Sequence, residues 1–198
     1  LDVEAAGVLL WRHGGGLIIG SPGQDAARCA EFVRELGIVV VSAYYRLAPQ
    51  HPFPAALDDC HAAWGWVQAN LSRFGVDPAR VVIGGESAGG GLAASLAQRL
   101  HDEGGSQPAG QLLLYPMLDD RTAARQELDA ASHPIWNNIS NRTGWSAYLG
   151  HPPGADAVPA YAVPARRADL RGLPPAWIGV GLLDLFLEEC RMYAARLR

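Results

Sequence analysis

The sequence predicts an α/β fold built on a doubly wound, mostly parallel sheet with flanking helices, on three observations. Short apolar runs rich in β-branched residues recur along the chain. Segments of helical periodicity lie between them, and several of those segments stop at a glycine. A strand that returns after a helix re-enters the sheet in the same direction, so this alternation argues for parallel strands covered on both faces.

Taken in order, Val8 to Trp11 is the first apolar run, leading into His13, and Ile38 to Ala43 is the second; both read as buried strands. Between them, Ala26 to Leu36 sets Cys29, Phe32, Val33 and Leu36 at helical spacing and stops at Gly37, where a left-handed C-cap is expected. Pro54 occupies a first helical position ahead of Ala55 to Phe74, a segment closed by Gly75. Val81 to Gly84 follows as a strand and Ala88 to Asp102 as a helix. Leu112 to Tyr115 and Trp177 to Val180 complete the strands, and Glu188 to Arg198 reads as a final helix. The stretch from Asp119 to Arg171, with many Pro, Gly, Asn and Trp residues, is irregular and too long for an ordinary loop. It is expected to form a cap-like insertion in an otherwise single domain spanning residues 1–198.

Composition narrows the function. With 49% hydrophobic and 18% charged residues, the 198-residue chain can bury one sizeable core. A net charge of -4 without a basic run gives no electrostatic footprint for nucleic acid or an anionic membrane. The longest apolar stretches fall far short of the roughly 20 residues that span a bilayer. All 16 basic residues are Arg, so a Ser-Lys dyad, a Schiff-base lysine and a P-loop lysine are excluded. Three widely spaced cysteines, Cys29, Cys60 and Cys190, argue for buried thiols rather than a disulfide framework or a metal cluster; no metal or cofactor is expected. The sequons at Asn70, Asn138 and Asn141 read as chance matches. The chain starts at Leu1 and its last helix lacks an exit signal, so it reads as a fragment truncated at both ends.

Two glycine-rich segments carry the chemistry. Gly85-Glu86-Ser87-Ala88-Gly89 lies between a strand and a helix, the context in which G-x-S-x-G presents a nucleophilic serine on a sharp turn. Gly85 and Gly89 are expected because a Cβ at either would strike neighbouring backbone. The Ala88 N–H at the helix start is one donor for an oxyanion. His13-Gly14-Gly15-Gly16, at the exit of the first strand, offers the others: two of Gly14, Gly15 and Gly16, with Gly15 and Gly16 favoured, and His13 fixing the loop. A phosphate-binding loop competes for the glycine run, but neither G-x-G-x-x-G nor Lys accompanies it. Asp184, beyond the last strand, is the candidate carboxylate to orient a base; a helix cap is the plainer reading of the same residue. No histidine follows it. His13, His51, His61, His101, His133 and His151 all precede it, and a base drawn from the cap region is the lesser alternative.

With these residues in place, the chain resembles the hormone-sensitive-lipase family of α/β-hydrolases, in particular its bacterial carboxylesterases and lipases. The resemblance rests on His13-Gly14-Gly15-Gly16, on Tyr45 to Ala56, on Gly85 to Gly90, on Leu114 to Asp120 and on Asp184 to Glu189. It implies an incomplete α/β-hydrolase fold, with Ser87 as nucleophile, Asp184 as acid and Gly15, Gly16 and Ala88 as oxyanion hole. It further implies a catalytic histidine beyond Arg198, a small ester of short to medium acyl length as substrate, and a bacterial cytoplasmic location, secretion staying open. Three departures stand out: Gln50 where Glu is usual, Glu86 where Asp or Thr is common, and Asp184-Leu185-Phe186 in place of Asp-Pro-Leu. Two rivals share the visible residues. One is a non-catalytic binding module, as in the plant gibberellin receptors that resemble this family; the other is a peptidase or amidase on the same fold. Acyl and alcohol preference depend on cap residues such as Trp136, Trp145 and Tyr148, aromatic residues that are more often core than pocket.

Overall fold

The computed structural model describes residues 5–131, 133 and 135–198. Five strands form one sheet: β1 (Val8–Arg12), β2 (Val39–Ser42), β3 (Val81–Glu86), β4 (Gly110–Leu114) and β5 (Ala176–Gly179), in the order β2-β1-β3-β4-β5. Every neighbouring pair is parallel. The helices are α1 (Ala26–Leu36), α2 (Ala55–Phe74), α3 (Ala88–Glu103), α4 (Asp120–Ala124), α5 (Asn138–Leu149) and α6 (Leu187–Arg196).

Side chains of alternate strand residues sort onto the two faces. Leu9, Trp11, Val40, Val82, Leu112 and Leu114 pack with Cys29 and Phe32 of α1, whereas Val8, Leu10, Val81, Ile83 and Leu113 join the main core. That core is closed by α2, α3 and α6, with Trp64, Leu96 and Tyr193 among its buried side chains. Glycine ends two helices as expected: Gly37 and Gly75 take φ of 61° and 66° and return their N–H groups to the preceding turn.

Three expectations change. β2 is half-buried throughout rather than buried, because it is an outer strand of the sheet with β1 alone beside it among the described strands. Pro54 caps α2 from outside instead of occupying its first turn. The stretch from Asp119 to Arg171 is not wholly irregular, since it holds α4 and the 12-residue α5.

The sequence of α5 hides the helix because Asn, Ser, Thr and Gly are poor helix formers. Tertiary contacts supply what propensity lacks: Trp145 and Tyr148 are buried, the Ser140 amide donates to Asn137 Oδ1 at 2.9 Å, and Gly150 closes the end at φ 75°. Trp145 and Tyr148 therefore belong to the core. Asn138 and Asn141 are fully buried, so neither sequon is open to modification in the fold.

Candidate active site

Strand register brings the two glycine-rich segments together. Arg12 pairs with Gly85, and Glu86 pairs with Leu114, so the chain beyond β1, β3 and β4 leaves the sheet on one edge. Leu114 in turn pairs with Gly179 of β5, which places the 181–186 segment on that edge as well. Ser87, the glycine run and Asp184 then line one cleft of about 740 Å³. Trp136, His133 and Phe186 contribute to its wall, while Trp145 and Tyr148 do not.

Ser87 sits at the first turn of α3 with φ 52° and ψ -120°, a conformation that a side-chain-bearing residue adopts at a cost. The surroundings hold it there: its amide donates to the Leu114 carbonyl at 2.9 Å, and its own carbonyl accepts from Met117 at 2.9 Å and Gly91 at 3.1 Å. The turn is tight because α3 lies directly on the β1 exit. A Cβ on Gly89 would stand 2.3 Å from the Arg12 carbonyl oxygen, and one on Gly85 would stand 2.4 Å from the Gly89 backbone. The Ala88 N–H belongs to the first turn of α3, where helical amides lack an intrahelical acceptor. The Ser87 side chain makes no capping bond, leaving its oxygen to the cleft.

The glycine run follows immediately. Gly15 and Gly16 have φ of 119° and 57°, and the Gly15 carbonyl accepts from Ile18 and Ile19, turning the loop back on itself. His13 lies beneath it, fully buried, with Nδ1 2.7 Å from the Gly14 carbonyl. A carbonyl only accepts, so Nδ1 carries the proton, and burial holds the imidazole below its ordinary pKa. The Tyr45 ring stacks on His13 with centroids 4.2 Å apart.

Asp184 lies both in a turn and on the cleft. One carboxylate oxygen accepts from the Phe186 amide at 2.8 Å, a local turn just ahead of α6, while the residue also lines the cleft. Among the described histidines, His133 alone borders the cleft; its Nδ1 lies 3.2 Å from the Leu183 carbonyl and its Nε2 has no partner among the described residues.

Sequence reasoning missed the polar cluster behind Glu86. Tyr115 donates to Glu86 Oε2 at 2.8 Å, and the Arg28 guanidinium pairs with the same oxygen. Next to them the Trp11 indole N–H donates to Asp25 at 2.7 Å. Burial, with the Glu86 charge beside it, pushes the Asp25 carboxyl up. These residues come from β1, β3, α1 and the loops around them, and no sequence spacing relates them.

Comparison with known proteins identifies the family of the chain. Residues 9–198 match a family profile described as alpha/beta hydrolase fold. The chain is 36% identical over 188 residues to Esterase LipI of Mycobacterium tuberculosis, covering 95% of this chain and 58% of that protein. Among solved structures, a bacterial heroin esterase superposes with a TM-score of 0.91 at 41% identity, covering 98% of this chain and 63% of that one. An esterase from the bacterial hormone-sensitive lipase family gives a TM-score of 0.84 at 34% identity, covering 98% and 63%. The chain thus spans about three fifths of the length of the relatives it matches.

Proposed function

Because the chain belongs to the α/β-hydrolase family, we propose that it supplies the nucleophile, oxyanion hole and acid of a serine carboxylesterase acting on small esters of short to medium acyl length. The observation that carries this reading is the convergence of Ser87, the Gly14–Gly16 run and Asp184 on one cleft. The esterase names of the relatives support the reaction class.

In the reaction, Ser87 Oγ attacks the ester carbonyl carbon while its proton passes to a base. The carbonyl oxygen gains negative charge and accepts from the Ala88, Gly15 and Gly16 N–H groups. Collapse breaks the bond to the alkoxy oxygen, which leaves with the proton from the base. Water then cleaves the acyl-serine by the same steps in reverse order of roles. Asp184 orients the base, and by the family resemblance that base is a histidine lying after Asp184 in the full-length protein.

The test is hydrolysis of a short-chain p-nitrophenyl ester by the full-length protein beside its Ser87→Ala variant. Turnover lost in the variant, with the fold intact by circular dichroism, supports the esterase. Equal background rates in both would turn the cleft into the ligand site of a binding module. His133→Ala separates the two sources of base: it should keep more than about a tenth of the turnover, since loss of the base itself costs a factor of 10³ or more.

A further inference from the structure

Arg12 ends β1, directly ahead of the His13-Gly14-Gly15-Gly16 run, and it is fully buried. Its guanidinium donates to the Leu10 carbonyl at 2.8 Å and to the Cys60 carbonyl of α2 at 3.1 Å, while Nε has no partner among the described residues. Neither carbonyl depends on it. Leu10 stands in a strand paired on both sides and Cys60 inside α2, so ladder and helix supply each with a backbone donor.

A guanidinium keeps its charge at every pH a protein meets, so Arg12 encloses a positive charge in the core. No carboxylate among the described residues pairs with it. Glu86 is taken by Arg28, Asp59 by Arg46 and Asp58 by Arg99. Burial pushes the Asp25 carboxyl, held by the Trp11 indole, toward its neutral form. It also pushes up the Cys60 thiol beside Arg12 and the Tyr45 and Tyr148 hydroxyls, all of which stay neutral. An enclosed charge without a partner is unfavourable, and an apolar side chain of similar length would suit a core better.

The position of Arg12 gives that charge a use. A Cβ on Gly85 would stand 2.8 Å from the Arg12 carbonyl oxygen and one on Gly89 2.3 Å, so the residue lies against the turn that carries Ser87. The glycine run begins two residues further on. Arg12 is therefore beneath both arms of the site, the start of α3 and the glycine loop, without lining the cleft.

We propose that Arg12 is a fixed positive charge beneath the oxyanion hole, favouring the negative charge that develops on the substrate's carbonyl oxygen without touching it. The inference rests on the ester-hydrolase reading. At an effective dielectric constant of about 20, a charge on the order of 10 Å away favours a unit anion by roughly tenfold. Acylation and deacylation both pass through an oxyanion, so the effect falls on kcat whichever step limits. KM is spared, because the bound neutral ester carries no charge for Arg12 to act on.

The experiment is Arg12→Met, uncharged and of similar length, in the full-length protein. With p-nitrophenyl acetate, kcat should fall roughly tenfold at little-changed KM. Melting should occur at or above the wild-type temperature, since the two carbonyls keep their backbone donors and the enclosed charge is gone. Phenylboronic acid, whose adduct with Ser87 Oγ is an anion, should inhibit roughly tenfold less tightly, whereas neutral benzyl alcohol should inhibit as before. A residue that only tied β1 to α2 would behave otherwise: a lower melting temperature or failure to fold overturns the inference, and so does an unchanged kcat. Equal weakening of both inhibitors would mean a distorted site and overturns it too. In each of these cases Ser87-dependent turnover by the wild type leaves the esterase reading standing; absence of that turnover removes both.

Discussion

Tyr45 holds His13 twice: its ring lies 12° from parallel on the imidazole, and its hydroxyl donates to the His13 carbonyl at 2.9 Å. His13 in turn binds the Gly14 carbonyl through Nδ1. The glycine run is thereby anchored to a buried tyrosine from a distant loop. Loops of successive glycines have much conformational freedom to lose, so this anchor restricts where the oxyanion donors can go.

Tyr45→Phe keeps the stack and deletes the hydrogen bond. Unfolding in urea should show a loss of about 1–2 kcal/mol, and kcat of the full-length protein should fall several-fold with little change in KM. Unchanged kcat would mean that the stack alone fixes the loop.

Gly89→Ala should be among the most damaging single-atom additions in the chain. The new methyl group meets the Arg12 and His13 carbonyl oxygens at 2.3 and 2.4 Å, both backbone atoms that cannot swing aside. A loss above about 3 kcal/mol, read as a fall in melting temperature or as insoluble expression, is expected. A variant with wild-type stability would contradict the close packing of α3 on the β1 exit.

Asp184→Asn separates the two readings of that residue. The amide oxygen of Asn can still accept from the Phe186 N–H, so the turn before α6 and the melting temperature should be preserved. The charge that orients and stabilises the base is gone, and kcat of the full-length protein should fall by roughly 10³–10⁴. A drop in stability with kcat retained would assign Asp184 to the turn alone.

Glu189 is fully enclosed between α6 and α4, accepting from the Leu118 and Asp119 amides at 2.7 and 3.3 Å, with the Thr122 hydroxyl at its other oxygen. Burial pushes its carboxyl up from 4.5 to about 8. A folded-state pKa above the unfolded one means that the native protein holds a proton the unfolded chain has released. Stability from this group is complete below about pH 4.5 and is lost as pH rises toward and through 8. Glu189→Gln removes the titration. Urea midpoints at pH 6 and 8.5 should show wild type losing on the order of 2–4 kcal/mol relative to the variant, and parallel behaviour would place a charged carboxylate in the native state.

The order of strands and helices was legible because each strand run is bounded by a change of period or by a glycine, signals that are local. α1 and α2 follow those marks residue for residue, from Ala26 to Leu36 and from Ala55 to Phe74. α5 was not legible, since its helix rests on burying Trp145 and Tyr148 rather than on the propensities of Asn, Ser and Gly. Of the site, Ser87 and its flanking glycines could be read from the sequence because a strained turn and a close helix approach each demand particular residue types at fixed spacing. Asp184 could be read as a carboxylate beyond a strand, but its double position, in a turn and on the cleft, needed coordinates.

What the sequence determined by itself is the chain's local grammar: parallel strands, a sharp serine turn, and a glycine loop at the neighbouring strand exit. Only the tertiary structure decided which distant residues surround them. Tyr45 beneath the loop, Arg28 and Tyr115 on one oxygen of Glu86, and Trp136 over Gly16 are brought there by strand order and register. The physical reason is that backbone geometry is set by neighbours in the chain, whereas desolvation and charge pairing are set by neighbours in space.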